Sequence, residues 1–156
     1  MLCVFLVEET KQLLQLKKYN INSDPSVNQS LGDIEGKLGK LGLIPTPKNN
    51  QFDRVLLAGL GKKDEITRDT IRFVTGKIAQ KERDLKLKEF SIIVPPTSIN
   101  EPDSAVSQIV EGAKMSLYKF DTFKKEKATE SPKLIIIIPD SEGIKKTART
   151  AEIIAE

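Results

Sequence analysis

The sequence predicts an α/β domain with three layers: a mainly parallel or mixed sheet with helices on both faces. Three observations lead there. Short, almost wholly apolar runs recur at residues 1–7, 55–58, 90–94 and 134–138, as expected of strands covered on both faces. Segments with apolar residues at helical spacing separate the later runs, and such alternation favours parallel crossovers. The length of 156 residues is that of one domain, large enough to bury a core without disulfide staples.

Residues 1–7 read as a short buried strand. Residues 10–18 form a weakly amphipathic piece, and 20–28, polar and holding Pro25, a loop. Four glycines (Gly32, Gly36, Gly39, Gly42) within 30–42 are too many for a stable helix interior. A short helix giving way to a strand at 40–46 is expected there. After a turn at 45–50, Val55-Leu56-Leu57-Ala58 is a buried strand, and Gly59-Leu60-Gly61 lets the backbone turn sharply. Thr67 is placed to cap a helix, Asp69 lies in its first turn, and Ile71, Val74 and Ile78 follow at helical spacing. Lys81 and Arg83 fall near its end. The pattern then repeats. A strand at 90–94 stops at Pro95-Pro96. Asp103 or Ser104 is expected to cap a helix whose apolar face is Val106, Ile109 or Val110, Ala113, Leu117 and Phe120. A strand follows at 134–138, then a turn at Pro139-Asp140-Ser141, and 144–155 is expected to begin another helix. With no Gly or Pro stop in 147–156, that last segment reads as part of a longer element.

The net charge is +3, from 25 Lys+Arg against 22 Asp+Glu, small and dispersed enough that it argues neither for nor against nucleic acid. The densest basic runs, Lys124-Lys125 with Lys127, and Lys145-Lys146, read as solvated loops or helix ends. No segment has the length of a membrane span, and the apolar start lacks a basic lead and runs into Glu8-Glu9. With a single cysteine, the expectation is a reducing, cytoplasmic setting.

Histidine is absent, which removes imidazole bases, imidazole metal ligands and every Ser-His or Cys-His arrangement. Cys3, within an apolar run, reads as a small core residue. Glu8-Glu9 and Asp64-Glu65 are sequence neighbours, whose side chains diverge in regular structure, so neither is a ready-made dyad. No catalytic and no metal-binding residue is assigned. The loop Gly59-Leu60-Gly61-Lys62-Lys63 is a candidate anion cradle, with Gly59, Gly61 and Lys62 as its ligand-facing residues. It lacks the third glycine of a dinucleotide fingerprint and the Gly-Lys-Ser/Thr ending of a phosphate loop, so a tight strand-to-helix connection is the favoured reading. Tyr118, Phe120 and Phe123 lie among Lys114, Lys119, Lys124 and Lys125. Aromatics among cations can mark a nucleic-acid surface, but core packing with a solvated rim is favoured.

These segments resemble one known family. Val55-Leu56-Leu57-Ala58-Gly59-Leu60-Gly61-Lys62-Lys63 before a Thr-capped helix is similar to the N-terminal domain of leucyl (cytosol) aminopeptidases. So is the stretch Glu111-Gly112-Ala113-Lys114-Met115-Ser116-Leu117-Tyr118-Lys119-Phe120-Asp121, with Phe123-Lys124 after it. Gly36-Lys37-Leu38-Gly39 sits where the family has a glycine-bearing segment, and 133–138 matches the strand after its variable loop. The likeness keeps order and spacing over nearly the whole chain. It implies a macro-domain-like fold at 1–143 and, at 144–156, the start of a helix linking to a catalytic domain. It also implies a parent enzyme that removes N-terminal residues from peptides with two divalent metals (zinc or manganese), assembled as a hexamer. The family's catalytic signature, Asn-Thr-Asp-Ala-Glu-Gly-Arg, does not occur in these residues, so the resemblance assigns this chain no catalytic residue and no cofactor of its own. Two other readings stand beside it: a macro-like module binding ADP-ribose or a related nucleotide, and a nucleic-acid-binding module.

Overall fold

The structure is a computed structural model that describes residues 1–8, 34–45, 52–95, 102–118, 132–138 and 149–153. Within these lie six strands: β1 (Leu2–Leu6), β2 (Leu41–Pro45), β3 (Arg54–Gly59), β4 (Glu89–Ile93), β5 (Lys133–Ile138) and β6 (Arg149–Ile153). Two helices, α1 (Arg68–Asp84) and α2 (Pro102–Leu117), and a 3-10 turn at Lys63–Glu65 complete the described elements. The strands make one sheet in the order β2-β3-β1-β4-β5-β6. The inner four run parallel, and β2 and β6 close the edges antiparallel. Cys3 stands opposite Leu56 on one side and Ile92 on the other, which places β1 at the centre.

Because strand side chains alternate, the apolar runs supply two faces at once. Cys3, Phe5, Leu56, Ala58, Phe90, Ile92, Leu134 and Ile136 point to one face and pack with Ile71, Val74 and Ile78 of α1 and Ile109, Ala113 and Leu117 of α2. Leu2, Val4, Leu6, Val55, Leu57 and Ile93 point to the other and are also buried, with Ile34 and Ile44. Both described helices lie on the first face. The amphipathic piece expected at 10–18 falls outside the described residues, as do residues 30–33 of the short helix expected ahead of β2; the described part of that span, 34–40, is mostly turn.

Helix α1 starts as its sequence predicts. The Thr67 hydroxyl accepts from the Thr70 amide at 3.2 Å and the Thr67 amide donates to Thr70 Oγ1 at 3.1 Å, a reciprocal cap that satisfies two otherwise orphaned donors. Helix α2 differs from expectation at its start. Pro102, not a residue after Asp103 or Ser104, opens it, since proline's fixed φ and missing N–H suit the first helical position. The helix ends at Leu117, and Tyr118 just beyond it is exposed. Phe120 and Phe123 fall outside the described residues.

The helix expected over 144–155 is corrected at 149–153, the part of that span that is described. Residues Arg149–Ile153 form β6, paired Ile137↔Thr150, Ile136↔Ala151 and Ile135↔Glu152. The reason lies in the partner. Strand β5 offers an isoleucine-rich edge with unpaired main-chain groups, and a segment of mixed propensity takes the conformation that satisfies them.

Candidate functional site

In an open α/β sheet with parallel strands, ligands bind beyond the carboxyl ends of the strands, where the strand order reverses. Here that place is the end of β1, flanked by β3 and β4, and the Gly59–Lys63 loop stands at its rim. The described side of the crevice is filled by the protein's own backbone. The segment 34–40 packs against the backbone just beyond β1 and bonds repeatedly to the end of β3 and the loop after it. The Gly61 amide donates to the Gly36 carbonyl at 2.8 Å, the Gly39 amide to the Gly59 carbonyl at 2.9 Å and the Gly59 amide to the Lys40 carbonyl at 2.9 Å. The Leu60 amide donates to the Leu6 carbonyl at 2.7 Å, and the Glu8 amide to the Gly61 carbonyl at 2.9 Å.

An anion cradle needs backbone N–H groups aimed at the ligand. Those of Gly59, Leu60 and Gly61 donate to main-chain carbonyls, so these three amides clasp neighbouring segments together. Its glycines serve that clasp. A Cβ on Gly59 would collide with the Lys37 carbonyl oxygen and lie 2.6 Å from that of Gly36, while Gly36, at φ +69°, would bring a Cβ within 2.6 Å of the Val7–Glu8 backbone. Of the predicted ligand-facing residues, the fold brings Gly59 and Gly61 into backbone packing and leaves Lys62 exposed, like its neighbour Lys63. Lys62 faces Glu65 at 3.9 Å.

Around the clasp, two pairs of surface charges face each other. Lys37 Nζ lies 2.6 Å from Glu35 Oε2; this contact holds the Glu35 carboxyl below its usual range and the Lys37 ammonium above its own. Asp64 and Glu65 sit in the exposed 3-10 turn. Glu9 lies outside the described residues. No three His, Cys, Asp or Glu side chains among the described residues converge to hold a metal.

One pair escapes the sequence reading. On β1, Cys3 is buried as expected, but its thiol donates to Glu82 Oε1 of α1 at 3.4 Å. Glu82 is 0 % exposed, and its Oε2 has no hydrogen-bond partner among the described residues. Burial raises the Glu82 carboxyl to about 7, and burial together with the charge of Glu82 pushes the Cys3 thiol well up. The signal was present: Ile71, Val74, Ile78 and Glu82 continue one helical face. The charged run Lys81-Glu82-Arg83-Asp84 hides it.

Comparison with known proteins places the chain. The cytosol aminopeptidase family, N-terminal domain, matches residues 3–127. A probable cytosol aminopeptidase of Cenarchaeum symbiosum is 40% identical over 114 residues, covering 73% of this chain and 23% of that protein. One of Aquifex aeolicus is 31% identical over 157 residues, covering 98% and 30%. The chain therefore spans less than a third of the length of these relatives. Among solved structures, a tomato leucine aminopeptidase variant matches with a TM-score of 0.63 at 14% identity, over 88% of this chain and 29% of that one. The macrodomain of Mycobacterium tuberculosis DarG matches at 0.59 and 11% identity, over 90% and 89%. Both show the fold, an α/β macro-like sheet. On the family match over residues 3–127, this chain belongs to the cytosol aminopeptidase family, of which it is an N-terminal domain.

Proposed function

We propose that this chain is the non-catalytic front domain of a metal-dependent aminopeptidase, supporting the assembly of the enzyme and access to its active site. The observation that carries the reading is the clasp. The backbone of 34–40 fills the described side of the crevice in which a ligand-binding member of this fold class would hold its ligand, and uses the amides that would have bound it. A sheet kept in this way offers rigidity rather than a binding pocket. Under this reading the chemistry, with its two zinc or manganese ions, belongs to the larger part of the enzyme, which removes N-terminal amino acids from peptides in the cytoplasm as a hexamer. Residues beyond 143 lead toward that part, and β6 pairs with β5 before they do.

The test is hydrolysis of leucine p-nitroanilide with added manganese or zinc, comparing the 156-residue chain with the same chain extended through its downstream reading frame. Activity in the extended chain alone is the expected outcome. Hydrolysis by the 156 residues, or inactivity of both, overturns the reading.

A further inference from the structure

A carboxyl group that is fully buried, with one oxygen on a thiol and the other on nothing, is at ease only while neutral. Glu82 is such a group among the described residues, and the cation that acts on it, the Met1 ammonium, lowers its carboxyl by less than burial raises it. From β1 it faces Cys3 and, at the head of the strand, the Met1 ammonium, the two titratable groups that act on it. On its own helix Lys81 is exposed, and Arg83 turns away to Asp84 Oδ1 at 3.7 Å and the Ser116 carbonyl at 3.5 Å. The residues that share the Cys3 core cluster from β4 (Phe90, Ile92), β5 (Leu134, Ile136) and α2 (Ala113, Leu117) are all apolar. Lys88, Glu89 and Lys133 lie on the rim at the strand starts.

The position of Glu82 gives this burial a mechanical consequence. It stands in the last turn of α1, and its main-chain carbonyl accepts from Leu87 at 3.2 Å. The Leu85 amide returns to Lys81 at 3.0 Å and that of Lys86 to Arg83 at 2.9 Å. Lys86 is held at φ +55°, a left-handed conformation that costs a non-glycine residue free energy. The end of α1 and the following turn are thus one hydrogen-bonded unit with a strained exit.

We propose that Cys3 and Glu82 form a proton-operated latch that pins the last turn of α1 to β1, closed while the Glu82 carboxyl is neutral and released when it ionises, so that ambient pH sets how often the Cys3 thiol meets solvent. Ionisation leaves an unpaired charge in the core, which is relieved by swinging the α1 terminus outward into water, a local opening rather than an unfolding. With the carboxyl at its ordinary 4.5 when open and near 7 when closed, opening grows from about pH 4.5 to about pH 7 and levels off above it.

Cys3 is the one cysteine of the chain, so its alkylation reports the latch directly. The rate with N-ethylmaleimide is measured from pH 5 to 8.5 and divided by that of a free cysteine peptide, which removes the ordinary thiolate dependence. The expected ratio rises by about tenfold per pH unit up to about pH 7 and then flattens, changes little with dilute urea, and is flat in Glu82→Gln. A flat ratio in the unmodified chain, an equal rise in Glu82→Gln, or a urea dependence as steep as that of global unfolding overturns the latch. If Glu82→Gln fails to fold, hydrogen exchange of the unmodified chain decides. Protection at 85–87 that falls across this pH range while that of β5 holds supports the latch, and parallel loss overturns it.

Discussion

Glu82 also sets how the stability of the domain depends on pH. Its carboxyl is raised from an ordinary value of 4.5 to about 7 by burial, so the folded chain holds this proton more tightly than the unfolded one. The stabilisation linked to that proton is present in full below about pH 4.5 and is lost as pH rises through about 7. The displacement corresponds to roughly 3 kcal/mol. Glu82→Gln keeps the shape and removes the charge, so urea midpoints at pH 5 and 8 should differ less in the variant, which gains stability at pH 8. A variant that keeps the full pH dependence would show that another group carries it. At this scale the sequence was half legible. The place of Cys3 in an apolar strand told of its burial. The partner 79 residues away was not legible, because charge near a helix end is usually solvated and only the fold turns that face inward. Of the two readings of the loop at Gly59, Gly61 and Lys62, the favoured tight connection agrees with the main-chain bonds that Gly59 and Gly61 make. Sequence spacing shows where amides could point, not which carbonyls reach them first.

Between elements, the crossing of α1 and α2 rests on close backbone approach. A Cβ on Gly112 would collide with the Arg72 carbonyl oxygen and lie 3.1 Å from its carbon, whereas one on Gly76 would meet Ser116 Oγ. Arg72 ties the same crossing through Gln108 Oε1 at 2.7 Å and Glu111 Oε2 at 3.0 Å. Alanine in place of helical glycine gains about 1 kcal/mol of propensity at either site. Overpacking against backbone costs about 1–3 kcal/mol, and a serine hydroxyl can rotate aside while a carbonyl cannot. Gly112→Ala should therefore lower the thermal midpoint and Gly76→Ala should leave it within a degree or two. Equal effects would mean that the helices separate freely. Six of the elements followed from apolar runs and a cap, since both report local burial. The strand β6 did not, because its conformation is decided by the edge of β5 and not by its own residues.

For the whole molecule, likeness of fold leaves two readings to be told apart, since a macrodomain and a leucine aminopeptidase match the same sheet with TM-scores of 0.59 and 0.63. Fold alone does not carry function; the decision rests on what lies at the carboxyl ends of β1 and β3. A nucleotide site would need free amides for its phosphates and would stabilise the folded chain by mass action, by about 2.7 kcal/mol at a hundredfold excess over its dissociation constant. In a domain of this size that is a rise of roughly 5 °C or more in thermal midpoint. With the amides of Gly59, Leu60 and Gly61 bonded to Lys40, Leu6 and Gly36, such a ligand would have to break the clasp before it could bind, and the cost of those bonds would come out of its affinity. Millimolar ADP-ribose is therefore expected to leave the melting temperature unchanged. A shift of several degrees, abolished by Gly61→Ala, would restore the nucleotide-binding reading and mean that segment 34–40 moves aside to admit the ligand.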